Sequence, residues 1–242
     1  MSLIDVVIQG VQILMSEKRD AVVQKIRELH QRLIDAYGEE QQDQDEKVDP
    51  VATLANTILS QNTNDSNRDL AYQQLRARFS TWEAVRDAPE KEVVEAIRPA
   101  GLAPTKGPRI QEALRTITEQ QGEISLTFLR DMPLEEAKAW LRNLNGVGPK
   151  TASIVLLFAL GRAAFPVDTH VHRVSKRLGL IPKTASREQA HDLLEDLVPQ
   201  KAYYAFHLNL INHGRAICKA RSPDCEACML SDCCCYYQGS IK

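Results

Sequence analysis

Six cysteines fall between Cys218 and Cys235, and none occurs before them. Thiols this close along a chain cannot staple distant segments as a disulfide framework does. They read as a local metal site, and four thiolates suit zinc or an iron–sulfur cluster alike. A second feature is the run Leu144-Asn145-Gly146-Val147-Gly148-Pro149-Lys150-Thr151-Ala152. Gly146 and Gly148 flank one small apolar residue and permit a tight turn. Pro149 suits a first helical position. An apolar helix is expected from Thr151 to a C-cap at Gly161. Free backbone N–H groups at such a helix start form an anion site suited to phosphate. Asp168, ahead of Thr169-His170-Val171, reads as a helix N-cap. His170 and His172 lie two apart, hence on different helix faces, and receive no catalytic role.

The elements that must position these residues are helical. Val51, Leu54, Ala55, Ile58 and Leu59 follow the i, i+3, i+4, i+7, i+8 pattern of one helix face, and Leu134, Ala137, Leu141 and Leu144 repeat it. Ser80 with Glu83, and Ser186 with Gln189, read as capping boxes. Alternating β-branched runs are nearly absent. The expected fold is all-α, with about a dozen short helices. Gly38 to Pro50 is polar and acidic and reads as a linker or exposed loop. Pro99 to Pro108, with two glycines and three prolines, reads as a structured loop between helices.

A chain of 242 residues allows one large domain or two small ones. Its 43% apolar and 26% charged content excludes disordered and fibrous classes. The formal net charge of −2 argues against a strongly basic chain, but the charge is segregated. Residues 39–49 hold Glu39, Glu40, Asp43, Asp45, Glu46 and Asp49 against Lys47, whereas residues 162–221 carry ten basic and five acidic side chains. Such a basic third matters more for binding polyanions than the total does. The longest apolar run, Ile154 to Leu160, is far short of a membrane span. No Lys or Arg precedes Lys18, so a secretory leader is not expected. The expected location is cytoplasmic, in association with the nucleoid.

The glycine hairpin with Lys150, followed by Val167-Asp168-Thr169-His170 and then by Cys218-x6-Cys225-x2-Cys228-x5-Cys234, resembles the helix-hairpin-helix DNA glycosylases. Within them it is similar to the endonuclease III group. The resemblance runs from about Glu17 to Tyr237. It implies two helical lobes with a DNA-binding cleft between them, one spanning 49–162 and the other 1–48 plus 163–242. It implies base-excision repair by a bifunctional glycosylase and abasic-site lyase, with oxidised pyrimidines as expected substrates. A uracil or thymine mismatch glycosylase is the alternative enzyme, and a non-enzymatic iron–sulfur DNA-binding module the alternative from another class. The expected partner is double-stranded DNA with a damaged base or abasic site, bound by a monomer.

The resemblance places the catalytic lysine on Lys150 and the catalytic aspartate on Asp168. A neutral amine attacks C1′ of the damaged nucleotide, and the resulting Schiff base permits β-elimination. A lysine is mostly protonated at neutral pH, so desolvation under bound DNA must supply the neutral form. The carboxylate stabilises the sugar cation. A [4Fe–4S] cluster is implied on Cys218, Cys225, Cys228 and Cys234, with Cys233 and Cys235 as neighbours that leave the register of the fourth ligand open. The cluster is expected to shape a DNA-contacting loop that carries Lys219 and Arg221. Arg173 and Lys219 are expected phosphate contacts. Gly146 and Gly148 present the hairpin amides to phosphate. Gln61 or Asn62 aligns with an amide that fills the space left by a flipped base, and Leu102 with an apolar wedge. Between Leu102 and Lys150 the chain is longer than the family pattern, with extra residues near Phe128 to Trp140, and Asn145 stands where proline is common.

Overall fold

The computed structural model of the chain describes residues 3–41 and 48–240, with side chains from Ser16 to Gly239. Among the described residues every regular element is helical. In chain order these are α1 (Leu3–Tyr37), α2 (Pro50–Leu59), α3 (Asp65–Arg78), α4 (Trp82–Asp87), α5 (Glu90–Ala96), α6 (Ala103–Gln121), α7 (Leu134–Arg142), α8 (Pro149–Ile154), α9 (Thr169–Leu178), α10 (Arg187–Leu197), α11 (Tyr203–Ala216) and α12 (Cys235–Ser240). The chain divides into two compact units. A continuous unit spans Gln42–Pro166, and a split unit joins Met1–Gln41 to Val167–Lys242.

In the continuous unit the periodic stripes become the core. Val51, Leu54, Ala55, Ile58 and Leu59 of α2 are all buried, and so are Ala137, Leu141 and Leu144 on and after α7. They share one cluster with Leu75, Val93, Ile110 and Leu156. Full burial stabilises each large aliphatic side chain by about 1.5–3 kcal/mol. In the split unit Ile26, Leu29 and Leu33 form the inner stripe of α1, which packs on α11. At 35 residues α1 is far longer than the short helices expected. Lys25 ties it to the α9 terminus by donating to the Leu178 carbonyl at 2.6 Å.

Two local expectations change. Helix α4 is capped by Thr81, whose hydroxyl accepts from the Ala84 N–H at 3.1 Å, so the Ser80–Glu83 box does not form. The box at Ser186 and Gln189 is complete. The Pro99–Pro108 stretch is largely helix. A 3-10 turn covers Arg98–Ala100 and α6 starts at Ala103. Pro104 is tolerated there because the first-turn N–H groups have no intrahelical acceptor. Gly107 lets α5 come close, since a Cβ on it would lie 2.9 Å from Val94 Cγ2.

Of the acidic run, Asp43, Asp45, Glu46 and Lys47 lie outside the described residues. Asp49 is a structural residue. One carboxylate oxygen caps α2 at the Val51 N–H (2.8 Å), and the other accepts from Trp82 Nε1 (2.8 Å). Asp49→Ala removes a cap worth about 1 kcal/mol and strands a largely buried indole N–H for about 1–2 kcal/mol more. The expected loss of about 2–3 kcal/mol is measured by denaturant unfolding. Asp49→Asn keeps one oxygen and should recover part of it. A loss below about 0.5 kcal/mol for Asp49→Ala would refute the structural role.

Candidate functional site

The hairpin follows α7 directly. The Val147 N–H donates to the Leu144 carbonyl at 3.0 Å and closes the turn. Gly146 sits at φ +79, a left-handed backbone that favours glycine, and the flexible Arg109 side chain packs against it, with Cδ 2.7 Å from where a Cβ would lie. Gly148 is different from the expectation that both glycines serve the turn. Its backbone is extended and a Cβ would meet nothing within 4 Å, which leaves it bare toward solvent. Gly148 precedes Pro149 as the N-cap of α8, and no side chain caps that helix start. Lys150 is the second residue of α8 and is half-buried.

The helix does not run on as α to Gly161. Val155–Ala159 winds as a π segment, and the Arg162 N–H reaches the Leu156 carbonyl at 2.8 Å. The Arg162 guanidinium donates to the carbonyls of Leu129, Arg130 and Met132. This fastens the long stretch before α7, where Phe128 meets Trp140 edge to face at 5.0 Å between ring centres. Asn145 donates to the Glu112 carboxylate at 2.8 Å.

Two loops of the same unit carry the amide and apolar candidates. Gln61 donates from Nε2 to the Gly146 carbonyl at 3.0 Å, which brings it to the hairpin. Asn62, next to it, is exposed and left-handed at φ +53. Leu102 is also left-handed at φ +49 and is 56% exposed, a large apolar side chain held toward water. An open groove lined by Asn62, Asn64, Asn67, Pro99 and Gly101 joins the two loops.

Asp168 and the cysteines belong to the split unit. Asp168 is the N-cap of α9, with Oδ1 accepting from the Val171 N–H at 2.7 Å. Cys218, Cys225, Cys228 and Cys234 line one apolar cavity with Val174, Leu178 and Ile217. Cys233 and Cys235 do not line it. Their sulfurs face the Leu230 and Leu178 carbonyls at 3.3 and 3.5 Å. Among the described residues no three His, Cys, Asp or Glu side chains converge on a point as a single metal ion requires. Burial, with the nearby thiolates of Cys218, Cys234 and Cys225 adding to it, pushes the Cys228 thiol up to about 11.

The sequence reading missed the residues that frame this cavity. Arg177 donates to the Cys218 sulfur at 3.3 Å and to the carbonyls of Lys219 and Ala220, and its guanidinium lies 4.7 Å over the Tyr236 ring. Buried His213 approaches the Cys228 sulfur at 3.6 Å through Nε2 and Tyr37 at 3.2 Å through Nδ1. Burial pushes the His213 pKa down to about 4. Arg173, an expected phosphate contact, turns its Nε and Nη2 inward. It donates to the Cys218 and Gly214 carbonyls at 3.0 and 2.9 Å and meets the His170 ring. Lys219 and Arg221 are exposed on the loop between the first two cysteines. Their charges were legible in sequence, but the arginines' inward use was not, because it depends on backbone carbonyls about forty residues away.

Residues 55–200 match the model of the HhH-GPD superfamily of base excision DNA repair proteins. The chain is 34% identical over 192 residues to endonuclease III of Thermotoga maritima, covering 79% of this chain and 85% of that one. It is 40% identical over 162 residues to an Arabidopsis thaliana protein named as a DNA glycosylase (At3g47830), which covers 67% of this chain but only 55% of the plant protein. A solved endonuclease III–DNA complex, trapped as a covalent intermediate with an estranged adenine, superposes with a TM-score of 0.77 at 28% identity. That match covers 91% of this chain and 99% of the other. Among the described residues no helix is long and apolar enough to cross a membrane.

Proposed function

Because the chain belongs to the HhH-GPD superfamily of base excision DNA repair proteins, we propose that it is a bifunctional DNA glycosylase and abasic-site lyase that removes oxidised pyrimidines from double-stranded DNA. The family and the likeness to endonuclease III of Thermotoga maritima make it a base excision repair glycosylase of the endonuclease III type. The observation that carries the finer reading is Lys150. It is the second residue of a helix that starts uncapped, directly after a left-handed glycine turn.

In this reading the neutral Lys150 amine attacks C1′. The N–C1′ bond forms as the N-glycosidic bond breaks, and the base leaves with the electron pair. Ring opening gives an imine, which acidifies the C2′ proton. Loss of that proton expels the 3′ phosphate oxygen and cuts the strand. Asp168 opposes the positive charge that develops on the sugar. Its N-cap bond at Val171 fixes the direction of the carboxylate. The uncapped N–H groups at the start of α8 and the bare Gly148 backbone receive a phosphate. Asn62 fills the space left by the flipped base, Leu102 enters the stack, and Gln61 holds its loop against the hairpin.

Cys218, Cys225, Cys228 and Cys234 line one cavity, and four thiolates are the donor set that a [4Fe–4S] cluster takes. Cys218, Cys225, Cys228 and Cys234 would hold the cluster, which when bound would stiffen the 218–234 loop. Arg177 and Arg173 brace that loop from α9, and Lys219 and Arg221 extend from it toward phosphate.

A panel of duplexes with defined lesions tests the reading. Excision of oxidised pyrimidines with strand cleavage, without added abasic endonuclease, is expected. Release of uracil or thymine from mismatches with no cleavage would replace it. Salt titration tests the interface. Each phosphate neutralised adds about −0.9 to the slope of log K against log salt, so Lys219→Ala and Arg221→Ala should each flatten it by about one unit. Arg173→Ala should lower stability, since its Nε and Nη2 donors are used inside the fold, and should flatten the slope less than Lys219→Ala does. An unchanged slope in both Lys219→Ala and Arg221→Ala would remove this loop from the DNA interface.

A further inference from the structure

Lys106, in the first turn of α6, is 1% exposed. A lysine that buried is rare unless it is paired, and its recorded partners are two backbone carbonyls. Nζ donates to Leu59 and to Ala100, each at 2.8 Å. Leu59 is the last residue of α2, and Ala100 is the last of the 3-10 turn at Arg98–Ala100. Carbonyls at such ends lack intrahelical donors and carry the negative end of the helix dipole. One buried ammonium therefore anchors the roots of both loops, the one carrying Asn62 and the one carrying Leu102. Both tips hold non-glycine residues at positive φ. Such conformations persist only where the surroundings over-determine them. Helix α3 closes the arrangement by packing on the same 3-10 turn.

We propose that Lys106 is a positioning residue that couples the Asn62 and Leu102 loops into one rigid wedge, so that both enter the duplex together as the target base leaves the stack. The proposal rests on the DNA-reading role given to these loops above. It makes unstacking, rather than bond cleavage, the step that depends on Lys106. The coupling is geometric, since moving either root costs a buried hydrogen bond.

The test compares wild-type protein with Lys106→Met, which keeps the length of the side chain and removes its donors. Single-turnover excision is measured on an oxidised pyrimidine in a fully paired duplex and on the same lesion in a bulge, where the base is already unstacked. The loss in Lys106→Met should be about tenfold or more greater on the duplex than on the bulge. Insertion is read independently of activity by 2-aminopurine opposite an abasic site, whose fluorescence rise on binding should be slowed or lost. Leu102→Ala, on an exposed side chain, should show the same duplex-selective loss, and the double variant should lose little more than Lys106→Met alone. Equal losses on duplex and bulge, or fully additive losses in the double variant, would overturn the proposal and leave Lys106 a general stability residue. Should Lys106→Met not fold, Lys106→Gln, which keeps an amide NH2 on a shorter side chain, is read by the same ratio. If the wild-type protein excises no oxidised pyrimidine, the substrate assignment fails. The 2-aminopurine signal on the abasic duplex still decides the role of Lys106.

Discussion

Lys150→Gln abolishes borohydride trapping on DNA that contains an abasic site. Trapping needs a protein–DNA imine for borohydride to reduce to a stable amine, and glutamine has no amine to form one. The loss should therefore be complete rather than partial. Excision of a damaged base should fall by about three orders of magnitude or more, the scale seen when a covalent nucleophile is removed. DNA affinity should be largely kept, because the hairpin contacts invoked here are backbone N–H groups and the Gln side chain fits a half-buried lysine position. Undiminished trapping in Lys150→Gln would move the Schiff base to another amine. Asp168→Asn is the companion test. Asparagine caps a helix about as well as aspartate, so α9 should keep its start while the carboxylate charge is lost. A large fall in excision with unchanged thermal stability would assign the effect to charge. Equal excision by the two proteins would remove Asp168 from the chemistry.

Protein purified without oxygen should be yellow-brown and carry about four irons per chain. Cys225→Ala or Cys234→Ala should lose most of that iron, together with much of the stability of the 218–234 loop. Cys233→Ala and Cys235→Ala should retain it, because those sulfurs face carbonyls outside the shared cavity. Cys235 still packs closely on the backbone at Gly179, where an added Cβ would lie 2.6 Å from its sulfur. Its replacement should therefore cost some stability without changing the metal content. Stoichiometric zinc with no visible absorbance would refute the cluster. Equal iron loss in all four variants would refute the assignment of the fourth ligand to Cys234.

The features read correctly from sequence were governed by local spacing. The stripes of α2 and α7, the Ser186 box, the turn at Gly146 and the Asp168 cap each depend on residues within about two helical turns of one another. Their physics is the 3.6-residue period and the orphan groups at helix ends. Where several local solutions compete, spacing alone does not choose between them. Thr81 rather than Ser80 caps α4, and the proline-rich stretch after Arg98 divides into a 3-10 turn and the opening turns of α6.

The sequence by itself determined the all-helical class, the hairpin with Lys150 at a helix start, and the grouping of the thiols. All of these are written in short-range patterns. Only the tertiary structure decided which thiols share a cavity, that Arg173 and Arg177 turn inward, that Asp49 holds Trp82, and that Lys106 is buried between two loop roots. In each case the partner lies far along the chain or is a backbone carbonyl. A carbonyl carries no residue identity, so no spacing of side-chain types announces it. A charged side chain looks the same in sequence whether water or a helix end receives its donors, and only packing selects between them.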